Sequence, residues 1–496
     1  MRQGHRRWLG LLAMAAALAV AFWLRWHVFS TEELGLDGHL AVGLALAPLG
    51  DMLAFNLRDV HPPLFYLLLG AWLQAAGVDF VTARWPAVAA GVLALPVLYQ
   101  LGRRTLGTAA GLAAALLLAI SPAHIFLSAT VRDFGLGMLV SALALLVLLV
   151  LTSEDTPAPR VAWLAAALSL ATAAALLTWY FHLLYLGLAL AYLAWRRPRR
   201  WRAAVGAMAL GAALALPWYA AAVPALWGKA AGGVTVSGEA PRELALAAFA
   251  AEAAKSLVGT TLVSWQAVLG YWALLVLAGL AFWWRGAQGR ALAVGVAAGV
   301  CLGGVIAYEL GGRWVYSTFV IRYFLVLLPF AVLAQAALLS PGQRTRQIVG
   351  VLALLVLALP AGLWYTDLSG SAGIPYEQDP GLGYLEPRLA AGDGIIFMDY
   401  ARAGLYQLRG RGDAPSYVIH FAGSPFLADD VATRAAALVP GLKERHARVW
   451  FVLSQEDRQE QAAPLRQALG PALAEPAVVR DEWWWAQVTP YAGSAR

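Results

Sequence analysis

Long apolar segments alternate with short polar segments from Trp8 to Trp364. As helices, apolar segments of about 20 residues match the ~30 Å hydrocarbon core of a bilayer. Residues 161–196 form one long apolar stretch, which we divide at Thr178-Trp179-Tyr180-Phe181. The pattern therefore predicts eleven transmembrane helices, over residues 8–28, 85–102, 108–127, 133–151, 161–178, 182–196, 202–221, 265–285, 290–310, 319–339 and 347–366.

Basic residues in the short loops predict how these helices are oriented. Arg103 and Arg104, the run 196–200, and Arg344 with Arg346 all fall on one side of the membrane in this topology. Because such loops stay in the cytoplasm, we expect a cytoplasmic N-terminus, an outer C-terminus and a location in the plasma (inner) membrane. The first apolar segment lacks a small-residue cleavage site and is interpreted as a retained signal anchor, although a signal peptide is the alternative.

Residues 62–77 are apolar but are left out of the transmembrane helices. If they crossed the membrane, the basic loop at Arg103 would lie outside. Pro62 and Pro63 are typical of a helix start, and Trp72 suits the membrane interface. We expect a short helix that lies in, or dips into, the outer interface.

The composition changes after about residue 367, where charged residues, Gly and Pro become more frequent. Short apolar runs separated by amphipathic stretches are typical of an α/β domain. We therefore predict a transmembrane catalytic domain over 1–366, with long outer loops at 29–84 and 222–264, and a small extracytoplasmic α/β domain over 367–496. The predicted strands are 394–400, 416–421, 449–454 and 483–488, and the amphipathic stretches are 429–439 and 456–469.

Composition narrows the class of protein. The 496 residues are 60% hydrophobic and 13% charged, which is too apolar for a soluble domain with a polar coat. The net charge is +7, and the basic residues fall in short loops between the predicted helices. Because this placement is explained by membrane topology, we predict no nucleic-acid partner. Cys301 is the only cysteine, so neither an internal disulfide nor a cysteine-based metal site can form. The sequence contains no phosphate-binding loop, dinucleotide turn or hydrolase elbow.

Six charged or imidazole side chains mark the outer ends of the predicted helices. A charge is costly in hydrocarbon, so such residues are functional candidates. The predicted topology puts all six on the outer side, which indicates one outward-facing polar site. They are Asp37, Asp59, His61, Arg132, Asp133 and His182.

Asp37 lies about ten residues beyond the first predicted helix. One interpretation is a general base close to the bilayer surface, with His39 and Asp133 helping to organise the site. The alternative is a solvated loop acid or a helix cap.

Asp59 and His61 would lie on one face of an extended segment and could share a cation or a phosphate. Together with His182 they are candidate ligands for a divalent metal ion. The alternatives are a helix cap for Asp59 and a packing role for His182.

Arg132 is suited to phosphate because its planar guanidinium matches a pair of anionic oxygens. A packing role for Arg132 is the alternative. Arg322 with Tyr323, and Lys255, are further candidates for phosphate binding. The alternative for Arg322 is a side chain that extends to the interface.

The segment from Asp59 to Leu69 reads D-V-H-P-P-L-F-Y-L-L-L. It is similar to the D-x-H-P-P-L-Y-Y-L-L-L segment of family-39-like membrane glycosyltransferases, which include protein O-mannosyltransferases and lipid A aminoarabinose transferases. Other elements resemble that family in the same order along the chain. They are Arg84-Trp85-Pro86-Ala87, Leu101-Gly102-Arg103-Arg104, Ser121-Pro122 before Arg132, and Ile321-Arg322-Tyr323-Phe324.

The resemblance implies a GT-C fold and the use of a polyprenyl-phosphate sugar on the extracytoplasmic face. It also implies inversion at the anomeric carbon, with polyprenyl phosphate leaving and Asp37 as the base. Two positions depart from the family pattern. Gly38 replaces the second acid of an Asp-Glu pair, and Thr130 replaces a glutamate, for which Asp133 is a candidate substitute.

The sequence therefore predicts a glycosyltransferase that moves a sugar from a polyprenyl-phosphate donor in the membrane to a lipid, glycan or protein acceptor. The alternatives are a flippase or transporter for lipid-linked sugars and a non-catalytic membrane scaffold. Transporters place their ionisable groups near the bilayer midplane, whereas those of this chain lie at predicted outer ends.

Overall fold

The structure is a computed structural model. It describes residues 2–31, 34–58, 61–231, 328–337, 379–397, 400–410, 414–418, 438, 441–442, 444–453, 477–480 and 485–492.

The chain divides into two compact units. The first unit contains residues 1–31, 60–65 and 87–371, and the second contains 32–59, 66–86 and 372–496. The second unit thus combines parts of the first predicted outer loop with the C-terminal region. The predicted domain boundary at 366/367 is based on where the transmembrane helices end, whereas the two units are defined by contacts within the structure. The predicted boundary therefore stays a prediction.

Helices dominate the described residues before position 338. Among these described residues, five stretches are long and apolar enough to cross a membrane: Gly10–Val28, Phe80–Leu106, Phe134–Thr152, Ala158–Thr178 and Trp201–Ala225. The helices are α1 (Arg2–Thr31), α2 (Gly35–Leu46), α3 (Leu49–Arg58), α4 (Leu64–Ala76), α5 (Phe80–Leu106), α6 (Thr108–Ile120), α7 (Pro122–Ala129), α8 (Phe134–Thr152), α9 (Val161–Thr178), α10 (His182–Arg196), α11 (Trp201–Ala231) and α12 (Leu328–Ala337).

Three of the predicted transmembrane helices, over 265–285, 290–310 and 347–366, lie outside the described residues. Helix α12 falls within the predicted helix 319–339. The predicted break in the stretch 161–196 is confirmed, because α9 ends at Thr178 and α10 begins at His182.

The predicted helix over 62–77 is confirmed as α4, which has 13 residues. At 1.5 Å per residue it is about 20 Å long, too short to cross ~30 Å of hydrocarbon. Its place at the membrane interface stays a prediction.

The prediction of one continuous helix over 108–127 was wrong. The chain bends at Ser121, whose backbone is extended (φ −66°, ψ 114°), and this separates α6 from α7. Pro122 has no backbone N–H to donate to the preceding turn and disfavours a helical residue before it. Ser121 also caps the new helix, because its hydroxyl accepts from the backbone N–H of His124 at 3.5 Å.

The core of the first unit is a continuous apolar cluster contributed by several helices. Leu98, Leu118, Met138 and Leu148 are among its buried members. Alanine is frequent in this cluster, and small side chains let neighbouring helices approach closely in a membrane.

In the described C-terminal residues, the second unit contains a five-stranded sheet, together with helices that include α13 and α14. The strand order is β2-β1-β3-β5-β4, with β1 parallel to β2 and β3, and β5 antiparallel to β3 and β4. The predicted α/β region is therefore confirmed. The elements are α13 (Pro380–Leu385), β1 (Asp393–Phe397), α14 (Tyr400–Leu408), β2 (Ser416–Val418), β3 (Arg448–Leu453), β4 (Ala477–Arg480) and β5 (Trp485–Ala492).

Each of the four predicted strands overlaps an observed strand, whereas β4 was not predicted. The prediction of a strand as far as Tyr400 was wrong, since that residue begins α14. Most residues of the predicted amphipathic stretches, 429–439 and 456–469, lie outside the described residues.

Candidate functional site

A buried chain of hydrogen bonds joins Arg132, His61 and Asp133 in the first unit. Arg132 Nη2 lies 2.9 Å from His61 Nε2, and His61 Nδ1 lies 3.1 Å from Asp133 Oδ2. The three residues are 5%, 3% and 2% exposed, respectively. The structure thus brings together three of the predicted site residues, two of them more than 70 positions from the third.

The local chain conformation places these side chains at the ends of helices. His61 lies just before α4, while Arg132 and Asp133 lie in the turn between α7 and α8. The Arg132 N–H donates to the Thr130 carbonyl at 2.8 Å, which closes that turn. Asp133 directly precedes α8 and its carbonyl accepts from Gly137, but its side chain does not cap the helix. The carboxylate is turned to His61 instead.

The hydrogen bonds define the protonation of His61. A guanidinium can only donate, so His61 Nε2 must accept, and the proton lies on Nδ1. That proton is donated to Asp133, which makes His61 a neutral bridge between a cation and an anion. Asp133 Oδ1 accepts no hydrogen bond within the part of the chain that the structure describes. The arrangement orients the Arg132 guanidinium through a neutral acceptor.

Aromatic rings connect the hydrogen-bonded residues Arg132, His61 and Asp133 to His182. The Phe134 ring lies edge-on to His61 and to Trp179, at centroid distances of 6.3 and 6.0 Å. Trp179 in turn lies edge-on to His182, at 5.8 Å. His182 Nδ1 donates to the Ala175 carbonyl at 2.6 Å. These contacts are those of a packing histidine, and its predicted role as a metal ligand stays a prediction.

The described side chains do not form a metal site by themselves. Within the described ranges, no group of three or more His, Cys, Asp or Glu side chains is placed to hold a metal ion. Both ring nitrogens of His61 are already engaged, by Arg132 and Asp133, and Asp59 lies outside the described residues. We therefore assign no metal-dependent step to these residues.

Asp37 belongs to the second unit, in the first turn of α2, and is half-buried. The positive end of the helix dipole favours a negative charge at this position. The predicted convergence of Asp37 with Arg132 and His182 stays a prediction.

His39 lies one half-turn further along α2 and is 2% exposed. Its ring lies edge-on to Phe80 at 6.4 Å. Burial lowers the pKa of His39 to about 4, and the positive charges of Arg84 and Arg409 act in the same direction, while Asp379 opposes them. His39 is therefore neutral at neutral pH, and its predicted role in organising the site stays a prediction.

One buried polar cluster was not predicted. Arg25 of α1 is fully buried, and its guanidinium donates to Ser128 Oγ at 2.8 Å and contacts His124 Nδ1. The signal in the sequence was a single arginine inside the first apolar segment, where a charge is costly. The predicted phosphate-binding residues Arg322, Tyr323 and Lys255 lie outside the described residues.

Comparison with known proteins gives a family-model match over part of the chain and a set of solved structures with a similar fold. Residues 60–227 match the family model described as dolichyl-phosphate-mannose-protein mannosyltransferase. The match covers the region of His61, Arg132 and Asp133, but not Asp37. No curated protein sequence matches the chain.

Solved structures show the same fold at low sequence identity. ArnT from Cupriavidus metallidurans bound to undecaprenyl phosphate matches at 15% identity with a TM-score of 0.60, over 98% of both chains. Archaeoglobus fulgidus oligosaccharyltransferase in complex with Zn and sulfate matches at 13% identity and 0.50, over 97% of this chain and 73% of that one. Mycobacterial arabinofuranosyltransferase AftD matches at 19% identity with a TM-score of 0.51, over 99% of this chain and 42% of that one. The predicted resemblance and the GT-C fold of a membrane protein are thus confirmed, and the family match supports a glycosyltransferase.

Proposed function

We propose that this chain transfers a sugar from a polyprenyl-phosphate donor to an acceptor on the extracytoplasmic face of the plasma membrane. The observation that carries the proposal is the hydrogen-bonded chain of Arg132, His61 and Asp133 in a GT-C fold. The family description, dolichyl-phosphate-mannose-protein mannosyltransferase, and the undecaprenyl phosphate bound to ArnT support a phosphate-linked lipid donor.

The reaction is a displacement at the anomeric carbon. An acceptor hydroxyl attacks that carbon from the face opposite the phosphate, so the new glycosidic bond has inverted configuration. The bond between the anomeric carbon and the phosphate oxygen breaks, and its electron pair leaves with polyprenyl phosphate. The hydroxyl proton passes to a base. The protein must therefore supply a base on one side and positive charge on the other.

Arg132 supplies the positive charge in this proposal. Negative charge builds up on the phosphate as the bond breaks, and a pre-oriented cation stabilises that charge without reorganising at the moment of reaction. His61 orients the guanidinium without a charge of its own, because it is neutral. Asp133 keeps His61 in the required tautomer. His61 and Asp133 are therefore positioning residues for Arg132.

Asp37 acts as the base that accepts the proton of the acceptor hydroxyl. Its place in the first turn of α2 favours the ionised carboxylate, and partial exposure leaves it accessible to an acceptor. General-base catalysis by a positioned carboxylate contributes about 10²- to 10⁴-fold.

Mass spectrometry of lipid that co-purifies with the chain tests the donor class. We expect a polyprenyl phosphate in the wild-type protein and its sugar-linked form enriched in Asp37→Asn, in which the donor binds but does not react. Asp51→Asn is the matched control, because Asp51 is an exposed acid of the neighbouring helix α3. It should carry the wild-type lipid. The proposal is overturned if no polyprenyl-phosphate lipid co-purifies and added undecaprenyl phosphate does not bind.

A further inference from the structure

Arg25 lies within the apolar segment Gly10–Val28 and its side chain is fully buried. Its Nη1 donates to the Ala21 carbonyl at 2.8 Å, one turn back along α1. Its Nε donates to Ser128 Oγ at 2.8 Å, and its Nη2 contacts His124 Nδ1. Two of these contacts therefore reach from α1 to α7.

A guanidinium that is fully enclosed by the protein is expensive to bury. On insertion scales an arginine costs about 2.5 to 3.5 kcal/mol at the centre of a transmembrane helix, and Arg25 lies toward one end of its apolar segment, where that figure is an upper bound. A leucine at position 25 would avoid that cost but would leave the buried Ser128 and His124 side chains without their guanidinium partner. The presence of an arginine is therefore explained by its guanidinium group, which binds two side chains of one short helix at the same time.

Helix α7 depends on such contacts because it has only eight residues. A helix of this length is not stable in isolation, so its position is decided by its neighbours. Apolar packing of Ile125 and Ala129 against Leu24, Val28 and Val88 holds one face. Apolar packing is non-directional, whereas the two contacts from Arg25 also define the rotation of α7 about its axis.

Ser128 connects this cluster to the turn that carries Arg132. Its hydroxyl donates to the His124 carbonyl and accepts from Arg25 Nε. A Cβ on Gly135, two residues after Asp133, would lie 3.3 Å from Ser128 Cβ. The side chain that Arg25 binds therefore packs against the first turn of α8. Along the chain, Thr130 and Val131 separate the end of α7 from Arg132.

We propose that Arg25 is a positioning residue for the phosphate-binding Arg132 and acts through Ser128 and α7. It does not touch the donor itself. The turn that carries Arg132 is joined to α7 at one end and, through the contact of Ser128 with Gly135, is affected at the start of α8 at the other. Rotation of α7 would therefore shift this turn and displace Arg132 from His61. This inference rests on the proposed function, because it takes Arg132 to be the group that binds the donor phosphate.

Binding of undecaprenyl phosphate to the purified full-length chain in detergent tests the proposal. Ser128→Ala removes one acceptor and little volume, and it should weaken binding by roughly three- to tenfold, the equivalent of one hydrogen bond. Arg25→Lys keeps the charge but loses the fork, and it should weaken binding at least as much. Ser169→Ala is the matched control. Ser169 is a buried serine with carbonyl contacts on α9 and α11, at 3.0 and 2.8 Å, and its loss should leave binding unchanged.

A double-mutant cycle separates positioning from a general loss of structure. In an Arg132→Ala background, Ser128→Ala should cause no further loss of affinity, because the group that it positions is gone. The thermal unfolding of each variant is measured in parallel. Two results would overturn the positioning role of Arg25, provided that Arg132→Ala itself binds weakly. One is that Ser128→Ala lowers the affinity by the same factor with and without Arg132→Ala. The other is that Ser128→Ala and Arg25→Lys both bind undecaprenyl phosphate as the wild type does. Wild-type binding by Arg132→Ala would instead overturn the proposed function.

Discussion

The backbone carbonyl of Tyr400, at the start of α14, lies against Gly43 of α2 so closely that a Cβ on Gly43 would collide with it. The relationship is reciprocal, because a Cβ on Gly404 would collide with the carbonyl of His39. Two glycines thus allow α2 and α14 to cross almost backbone to backbone. Since α2 also carries Asp37, the packing of α14 in the second unit decides where the predicted base is held.

Gly43→Ala should separate α2 from α14. Overpacking of a tight contact costs about 1 to 3 kcal/mol, and we expect a lower Tm and a larger loss of sugar transfer than of undecaprenyl phosphate binding. Gly50→Ala is the control, since no atom lies within 4 Å of a Cβ there. Alanine in an open helical position is neutral or stabilising by up to about 1 kcal/mol. Equal Tm values for the two variants would contradict the close crossing.

His39 should make stability depend on pH below neutrality. Its pKa is lowered to about 4, chiefly by burial, whereas an unfolded histidine has a pKa near 6.5. As the pH falls below about 6.5, the unfolded chain binds a proton that the folded chain does not, so stability is lost down to about pH 4. The loss amounts to about 3 kcal/mol by the linkage of pKa to free energy. It is measured as the change in Tm between pH 7 and 4.5.

His39→Gln should flatten that pH dependence, because the titrating group is removed. The control is His27→Gln, which replaces an exposed histidine stacked on Trp23 at 5.9 Å. It should keep the wild-type profile. A profile that His39→Gln leaves unchanged would assign the loss of stability to other groups.

Asp37→Asn should reduce the rate of sugar transfer by about 10²- to 10⁴-fold, the usual contribution of a general base. The amide is nearly isosteric with the carboxylate, so donor affinity and Tm should stay at wild-type values. Steady-state transfer and binding of undecaprenyl phosphate are measured on the same preparation. Asp51→Asn should retain full activity. Wild-type transfer rates in Asp37→Asn would remove Asp37 from the mechanism.

His61→Leu should destabilise the first unit, because it leaves the buried Asp133 carboxylate without its hydrogen bond. The expected cost is about 1 to 3 kcal/mol. His61→Gln is the matched variant, because an amide can accept from Arg132 and donate to Asp133 in the same order. It should keep most of the stability and of the affinity for undecaprenyl phosphate. Thermal unfolding in detergent checks the first expectation, and equal Tm values for the two variants would refute the bridging role of His61.

Local pattern was enough to predict much of the helical architecture. The length of each apolar segment predicted α1, α5 and α8, and the polar-aromatic stretch after Thr178 predicted the break before α10. These features depend on residues that are neighbours in the chain. The bend at Ser121 was also visible in principle, because Pro122 marks it, but the apolar pattern continues across the bend and concealed it.

Contacts between distant parts of the chain could not be predicted in this way. The sequence grouped His61, Arg132 and Asp133 by their predicted side of the membrane, but it contained no signal for the order in which they hydrogen-bond. The two glycines at the crossing of α2 and α14 gave no signal either, since each is one of 48 glycines in the chain.

The sequence by itself determined that this is a membrane protein of many helices, because hydrocarbon thickness and the cost of buried charge act on every residue independently of its partners. The tertiary structure alone decided that Arg132 binds a neutral His61 and that Arg25 is fully enclosed beside Ser128. Both are hydrogen bonds between segments far apart in the chain. Their geometry depends on the packing of whole helices to within a few tenths of an ångström, and a one-dimensional pattern does not contain that information.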